Sequence, residues 1–362
     1  MRFSVVLGTR PEMVKMSPIV RELQRRGLDF DLVHTGQHYS FEMDRVFFRD
    51  LELPEPKINL EVGSGTHGAQ TGKMLIGLER SFQESRPDLV LVQGDTNTVL
   101  AGALAAVKLG ITVGHVEAGL RSFDRTMPEE INRVMADHVS DLLFAPTETS
   151  AGNLRAEGLP EKRIFVTGNT IVDAVRENLA IAAGKGDALG ALGLRKGGYI
   201  LTTLHRQENV DSRERMGNVI KGLERVGRET GLEMIWPMHP RAKKNLETFG
   251  LQLPSDVRAV DPLGFLEFLQ VEGGAALALT DSGGVQEESC ILGVPCVTLR
   301  DNTERPETVQ VGSNMVVGTD PSRLVDGVRS MLPRRDGWAC PLGERGVGGR
   351  IVDICLGRTN QA

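Results

Sequence analysis

Three acids in the first half of the chain, Asp95, Glu117 and Glu129, stand just beyond apolar runs or at the start of a helical pattern. Carboxylates gathered in one crevice suit general acid/base work, because burial and mutual repulsion spread their pKa values. In the second half, Asp281-Ser282-Gly283-Gly284-Val285-Gln286-Glu287-Glu288 leads from an apolar run through two glycines into a helical pattern. Backbone N–H groups and the positive helix end can hold a diphosphate there, with Ser282 adding a hydroxyl. Glu288, four residues beyond Gly284, is suitably placed for ribose hydroxyls. A plain serine cap with a glycine turn fits the segment equally well. Gly8-Thr9-Arg10-Pro11-Glu12 has a similar design: Pro11 suits the first helical turn, Arg10 precedes it, and Lys15 follows one turn later. Arg10 and Lys15 could neutralise a phosphate or could belong to a solvated cap. Glu129 and Arg133 lie four apart in a helical pattern beginning at Pro128, the spacing of a surface ion pair.

Other groupings imitate functional motifs without their context. The stretch 63–68 fits GxGxxG with Asp88 twenty positions on, but the run before it is short and holds Glu61, so a dinucleotide site is not expected. Gly68-Ala69-Gln70-Thr71-Gly72-Lys73 is one residue short of a phosphate loop and lacks Ser or Thr after the lysine. His34 and His38 have metal-ligand spacing only on a helix, and they bracket Thr35-Gly36-Gln37 after a strand-like run. Cys290, Cys296, Cys340 and Cys355 form no CxxC pair and read as reduced thiols of a cytoplasmic protein.

The chemistry-bearing residues follow short apolar runs at 3–7, 89–92, 111–116 and 142–144, then at 199–204, 234–236, 275–279 and 296–299. Runs that are apolar throughout mark strands covered on both faces, as in parallel sheets. Helical patterns at 98–109 and 214–229 lie between them. The expected fold is therefore α/β, with two Rossmann-like doubly wound domains. Ligands of such sheets bind beyond the carboxyl ends of the strands, where these polar groups sit. The 362 residues suit two domains at roughly 100–200 residues each. Expected boundaries are 1–168, 169–346 and a terminal helix at 347–362. A net charge of −6 argues against nucleic acid or an anionic membrane as the main partner, and the most apolar stretch, 99–107, is too short to span a bilayer.

Taken together the motifs resemble those of the non-hydrolysing UDP-N-acetylglucosamine 2-epimerases. The ordered set is GTRPE at 8–12, TGQH at 35–38, QGDT at 93–96, EAGLR at 117–121, PEEINR at 128–133, TGNT at 167–170, HRQEN at 205–209, HPR at 239–241, LTDSGGVQEE at 279–288 and TERPE at 303–307. The resemblance covers almost the whole chain. It implies the glycosyltransferase-B architecture, two domains facing across a cleft, with a C-terminal helix returning to the first. It also implies a homodimer without metal or nicotinamide cofactor, interconverting UDP-GlcNAc and UDP-ManNAc by elimination and readdition of UDP. Asp95, Glu117, Glu129 and His205 match the family's catalytic positions. Arg10, Lys15, Ser282, Gly283, Gly284, Glu288 and Arg305 match its UDP-binding positions, and Phe268 lies where the family holds uracil. Arg133 is expected in the substrate site beside the acids. The sequence after TGQH is more aromatic than in bacterial relatives activated by UDP-GlcNAc, so such activation is not implied. A UDP-GlcNAc glycosyltransferase, a hydrolysing epimerase releasing ManNAc and a non-catalytic UDP-sugar sensor are the competing functions, separable by product.

Overall fold

The computed structural model describes residues 1–37 and 41–357, with backbone alone for 41–44. His38 therefore lies outside the described residues, together with Tyr39 and Ser40. The chain forms two compact units: Met1–Ala174 with the chain from Leu342 onward, and Val175–Pro341.

The first unit carries a parallel sheet of seven strands: β1 (Arg2–Leu7), β2 (Asp29–His34), β3 (Ile58–Asn59), β4 (Leu89–Gln93), β5 (Thr112–Val116), β6 (Leu142–Ala145) and β7 (Ile164–Val166). Their order is β3-β2-β1-β4-β5-β6-β7. β4 reads LVLVQ and is buried at every position, the pattern of a strand covered by helices on both faces. The order reverses between β1 and β4. At such a point the two flanking connections leave in opposite directions and open a crevice above the strand ends. Into it lead Gly8-Thr9-Arg10 and Gly94-Asp95-Thr96.

The helix Arg10–Arg25 buries Met13, Val14, Met16, Ile19, Val20 and Leu23 at helical spacing. The terminal helix Val347–Cys355 packs on it. Arg26 Nη1 reaches Asp353 at 2.5 Å, and a Cβ on Gly348 would lie 2.9 Å from the Pro18 carbonyl carbon, so glycine permits the close approach. Asp173 accepts from Gly346 N at 2.8 Å and Gly348 N at 3.0 Å, fixing the entry to that helix.

The second unit repeats the plan with six parallel strands: β8 (Tyr199–Thr203), β9 (Glu233–Pro237), β10 (Val257–Val260), β11 (Leu277–Thr280), β12 (Cys296–Thr298) and β13 (Asn314–Val316). The order is β10-β9-β8-β11-β12-β13, so the reversal falls between β8 and β11. His205 follows the first of these strands and Asp281-Ser282-Gly283 follows the second.

The rejected motifs are accounted for by the elements. The segment resembling a phosphate loop lies on the first two turns of the helix His67–Ser85, not in a loop joining a strand to a helix. His34 ends β2 rather than standing on a helix.

Candidate active site

In the first unit, Glu117 closes β5 and is buried. Lys15 Nζ lies 2.5 Å from its Oε1, Gln93 Nε2 donates to its Oε2, and Asn169 Nδ2 lies 3.5 Å away. Lys15 thus stands on a carboxylate of the acid cluster, not only where a phosphate could meet it. In this pair Glu117 is buried and Lys15 partly buried, so water screens their attraction only weakly. Asp95 is gripped by Arg133, with Nη2 at 2.5 Å and Nε at 2.9 Å from the same oxygen. Asn132 Nδ2 donates to the Asp95 carbonyl at 2.9 Å.

The expected Glu129–Arg133 pair is not made. Arg133 bonds instead to Asp95 and, through Nη1 at 2.9 Å, to Glu130. Three-residue spacing serves a helix surface as well as four, and the strand-end carboxylate supplies the second partner. Burial raises the Glu130 carboxyl, but donors from Ser122, Arg133 and Phe123 more than offset it and hold the group below its usual range. Glu129, half-buried on the first turn of the helix Pro128–Val139, makes no hydrogen bond or ion pair among the described residues. It is the one member of the acid trio left uncommitted.

Glu12 has the opposite setting. It accepts from Gly8 N at 2.5 Å, Thr9 N at 3.1 Å and Thr96 Oγ1 at 2.5 Å, joining the ends of β1 and β4. Burial outweighs these bonds and pushes its pKa up to about 7. Arg10 begins the same helix, its guanidinium carbon 5.6 Å from the centre of the Phe47 ring.

In the second unit the helix Gly283–Leu292 starts directly after β11. Ser282 caps it by accepting from Val285 N at 3.4 Å, while the N–H groups of Gly283 and Gly284 have no carbonyl one turn before them to bond. A Cβ on Gly284 would lie 3.7 Å from Ser282 Oγ and 3.9 Å from Glu288 Oε1; around Gly283 there is open space. The glycines therefore keep clear the region that the serine and glutamate face. Arg305 reaches the same helix through Glu287, Nε to Oε1 at 2.5 Å.

Asp281 is fully buried and collects donors from His205 N at 3.1 Å, Arg206 N at 3.0 Å and Asn209 Nδ2 at 3.1 Å. His205 Nδ1 sits 3.0 Å from its Oδ1, which leaves the imidazole half-exposed and oriented. Burial raises the Asp281 carboxyl, yet the His205 bond and charge, with Asn209 and Arg206, bring it below the ordinary value. Glu272 is buried beside the helix Gly283–Leu292, receiving Ser289 Oγ at 2.6 Å. Burial first, then the charge of Glu288, raises its pKa well above the ordinary range. Phe268 is partly buried against the core formed by Leu201, Ile235 and Val271.

The chain matches the model of the family described as UDP-N-acetylglucosamine 2-epimerase over residues 21–356. It belongs to that family. It is 54% identical to the UDP-N-acetylglucosamine 2-epimerase of Methanocaldococcus jannaschii over 360 residues, 98% of each chain. The counterpart from Methanococcus maripaludis is 49% identical, again over 98% of each. Among solved structures, the Methanocaldococcus jannaschii UDP-GlcNAc 2-epimerase in complex with UDP-GlcNAc and UDP aligns with TM-score 0.88 at 53% identity, covering 98% of this chain and 99% of that one. The Neisseria meningitidis UDP-GlcNAc 2-epimerase bound to UDP-GlcNAc aligns with TM-score 0.89 at 31% identity, covering 99% and 100%. The fold is thus the glycosyltransferase-B type of the epimerase family, built from two parallel α/β units.

Each unit contains residues beside the candidate groups that sequence reasoning left out. Gln93 and Asn169 lie within QGDT and TGNT, yet nothing in those motifs reveals that both reach Glu117. Asp281 opens the glycine segment, and its complete burial at a strand end is the signal that it orients a neighbour.

Proposed function

We propose that this chain interconverts UDP-GlcNAc and UDP-ManNAc without hydrolysing either. The observation that supports this is that one chain carries two unlike sets of groups, each within its own unit: a carboxylate cluster beside one sheet reversal and an open, glycine-lined helix N-terminus beside the other. The C2 proton of GlcNAc is not next to a carbonyl, so its direct removal is unfavourable near neutral pH. Elimination avoids the difficulty. A carboxylate takes the C2 proton as the C1–O bond breaks, the electron pair forms the C1=C2 bond of 2-acetamidoglucal, and UDP departs with the oxygen. Protonation of C2 from the opposite face and return of UDP to C1 give the epimer. Asp95, Glu117 and Glu129 supply the carboxylates in this scheme, with Arg133 and Lys15 holding two of them. Ser282, the Gly283-Gly284 amides, Arg10 and Arg305 stabilise charge on the leaving diphosphate. Glu288 takes the ribose, Phe268 supports the uracil, and His205, oriented by Asp281, contacts the nucleotide.

The working form in this proposal is a cytoplasmic homodimer. Among the described residues no helix is long and apolar enough to cross a membrane. A Pseudomonas aeruginosa relative, 40% identical over 334 residues, is named UDP-2,3-diacetamido-2,3-dideoxy-D-glucuronate 2-epimerase, so the sugar substituents need a direct test. Proton NMR of the purified chain with UDP-GlcNAc in D2O provides it. The expected product is UDP-ManNAc carrying deuterium at C2. Free ManNAc with UDP would assign the hydrolysing reaction. No turnover, with C2 exchange in the diacetamido-uronate nucleotide instead, would move the substrate assignment.

A further inference from the structure

Glu117 sits in the left-handed backbone region, φ +72°, a conformation that costs a non-glycine residue about 1–2 kcal/mol. The turn is held by an unusual density of bonds. Glu117 N and Ala118 N both donate to Phe144 O at 3.1 Å. Gly119 N donates to Asp137 Oδ2 at 3.1 Å, and Asn153 Nδ2 donates to Gly119 O at 3.0 Å. Gly119 is itself left-handed, and a Cβ there would fall 2.3 Å from Ser150 O.

Asp137 links this turn to a second loop. Its Oδ1 lies 2.6 Å from His115 Nδ1, and its Oδ2 lies 2.8 Å from Arg121 Nη1. The other ring nitrogen, His115 Nε2, lies 2.8 Å from the carbonyl of Gly94, the residue before Asp95. His115 and Asp137 are both fully buried. A carbonyl only accepts, so Nε2 carries a proton. Arg121 and the Gly119 amide together hold Asp137 ionised, so Nδ1 carries one too. The charged groups facing His115 are Asp137 and Glu117; Arg121 is shared between Asp137 and Glu157, the latter at 2.6 Å. Burial lowers the proton affinity of His115, but the charge and bond of Asp137, the Gly94 carbonyl and Glu117 raise it beyond that loss. Asp137 is correspondingly lowered despite its burial, through His115 and Arg121.

We propose that His115 is a positioning residue, a buried imidazolium whose two nitrogens clamp the loop carrying Asp95 to the turn carrying Glu117. It acts through Gly94 and Asp137 and meets no substrate atom. The proposal rests on the reading of Asp95 and Glu117 as the sugar-facing acids. A buried His–Asp pair often serves stability alone. Here one ring nitrogen is tied to the loop of Asp95 and the other, through Asp137 and the Gly119 amide, to the turn of Glu117, and a displacement of order 1 Å in such groups can cost about 10²-fold in rate.

Two measurements on the full chain test it. In ¹⁵N NMR of histidine-labelled protein, with the ring assigned by correlation to the His115 backbone amide, both ring nitrogens should be protonated at pH 7. A neutral ring at pH 7 would overturn the proposal, and this reading needs no variant to be active. In His115→Gln and Asp137→Asn, kcat and C2 deuterium exchange should fall together by about 10²-fold, with the Kd for UDP within about threefold of the parent. A folded His115→Gln with parental kcat would also overturn it. If the variants fail to fold, the protonation state of the parent decides. Failure of the epimerase reading looks different: the parent itself would show no C2 exchange.

Discussion

The candidate sites of the two units are built on the same element, the end of a strand beside a sheet reversal, yet they are finished in opposite ways. In the first unit two carboxylates are locked: Glu117 by Lys15 and Gln93, Asp95 by Arg133. In the second unit the central feature is space, kept open by Gly283 and Gly284 in front of Ser282 and Glu288. Groups that exchange a proton with carbon must be held in place, because rate depends steeply on their alignment. A diphosphate that leaves and returns needs donors that are already oriented and room to approach them. Rigid acids in one unit and an open glycine turn in the other are the two kinds of group that the proposed elimination–readdition cycle would need.

That contrast is broken most severely on the acid side. Asp95→Asn and Glu117→Gln should each lower kcat by about 10²–10⁴-fold, the usual contribution of a general acid or base, while UDP affinity by calorimetry stays near the parent value. Glu129→Gln sharpens the test, because Glu129 makes no bond among the described residues whose loss could be mistaken for lost chemistry. A near-parental kcat in Glu129→Gln, beside severe losses in the other two, would confine the proton work to Asp95 and Glu117. Full activity in all three would end the elimination mechanism for this chain.

On the cradle side the effect should appear in affinity. Gly284 has an ordinary helical setting with room for a Cβ, so Gly284→Val should fold. Its side chain would nonetheless occupy the region faced by Ser282 Oγ and Glu288 Oε1. UDP binding is expected to weaken by about 10²-fold, in the range of a lost charge-assisted contact or two. Unchanged affinity in a folded variant would place the diphosphate elsewhere.

Much of this organisation was legible from residue types. The central strands β1, β4, β5, β8 and β11 announce themselves because burial on both faces leaves them without polar alternation. Three of the four edge strands do not: β3 is two residues long, β10 contains Arg258, and β13 begins with Asn314. At the site, the strand-end acids and the glycine segment were visible because their position relative to an apolar run is local information. Their partners were not. Lys15 and Glu117 lie 102 positions apart, and Arg133 and Asp95 lie 38 apart. Local spacing gave Arg133 the wrong partner for the same reason: it ranks Glu129 without knowing that Glu130 and Asp95 converge on the guanidinium. His115 was passed over because a histidine inside an apolar strand reads as filler until both its ring nitrogens are seen to be bonded.

The smallest expected effect concerns how the locked side is held, and it depends on pH. Glu12 ties Gly8 and Thr9 to Thr96, yet burial raises its pKa from the ordinary 4.5 to about 7. The folded chain therefore binds this proton more tightly than the unfolded chain does. Below about pH 4.5 both states are protonated and the folded state has its full stability from this group. As pH rises from 4.5 to about 7 the unfolded chain releases the proton first, and stability falls. At about 1.4 kcal/mol per pKa unit the whole effect is of order 3 kcal/mol, complete once pH exceeds 7. Glu12→Gln keeps an acceptor for Gly8 and Thr9 and offers an amide to Thr96, but cannot titrate. Thermal melts at pH 5.5 and pH 8 should show the parent losing several degrees more than the variant over that interval. Equal losses would mean that Glu12 is already ionised at pH 5.5, with its three donors outweighing burial. Glu12 would then be one more locked carboxylate on the acid side, its charge stabilising the junction of β1 and β4.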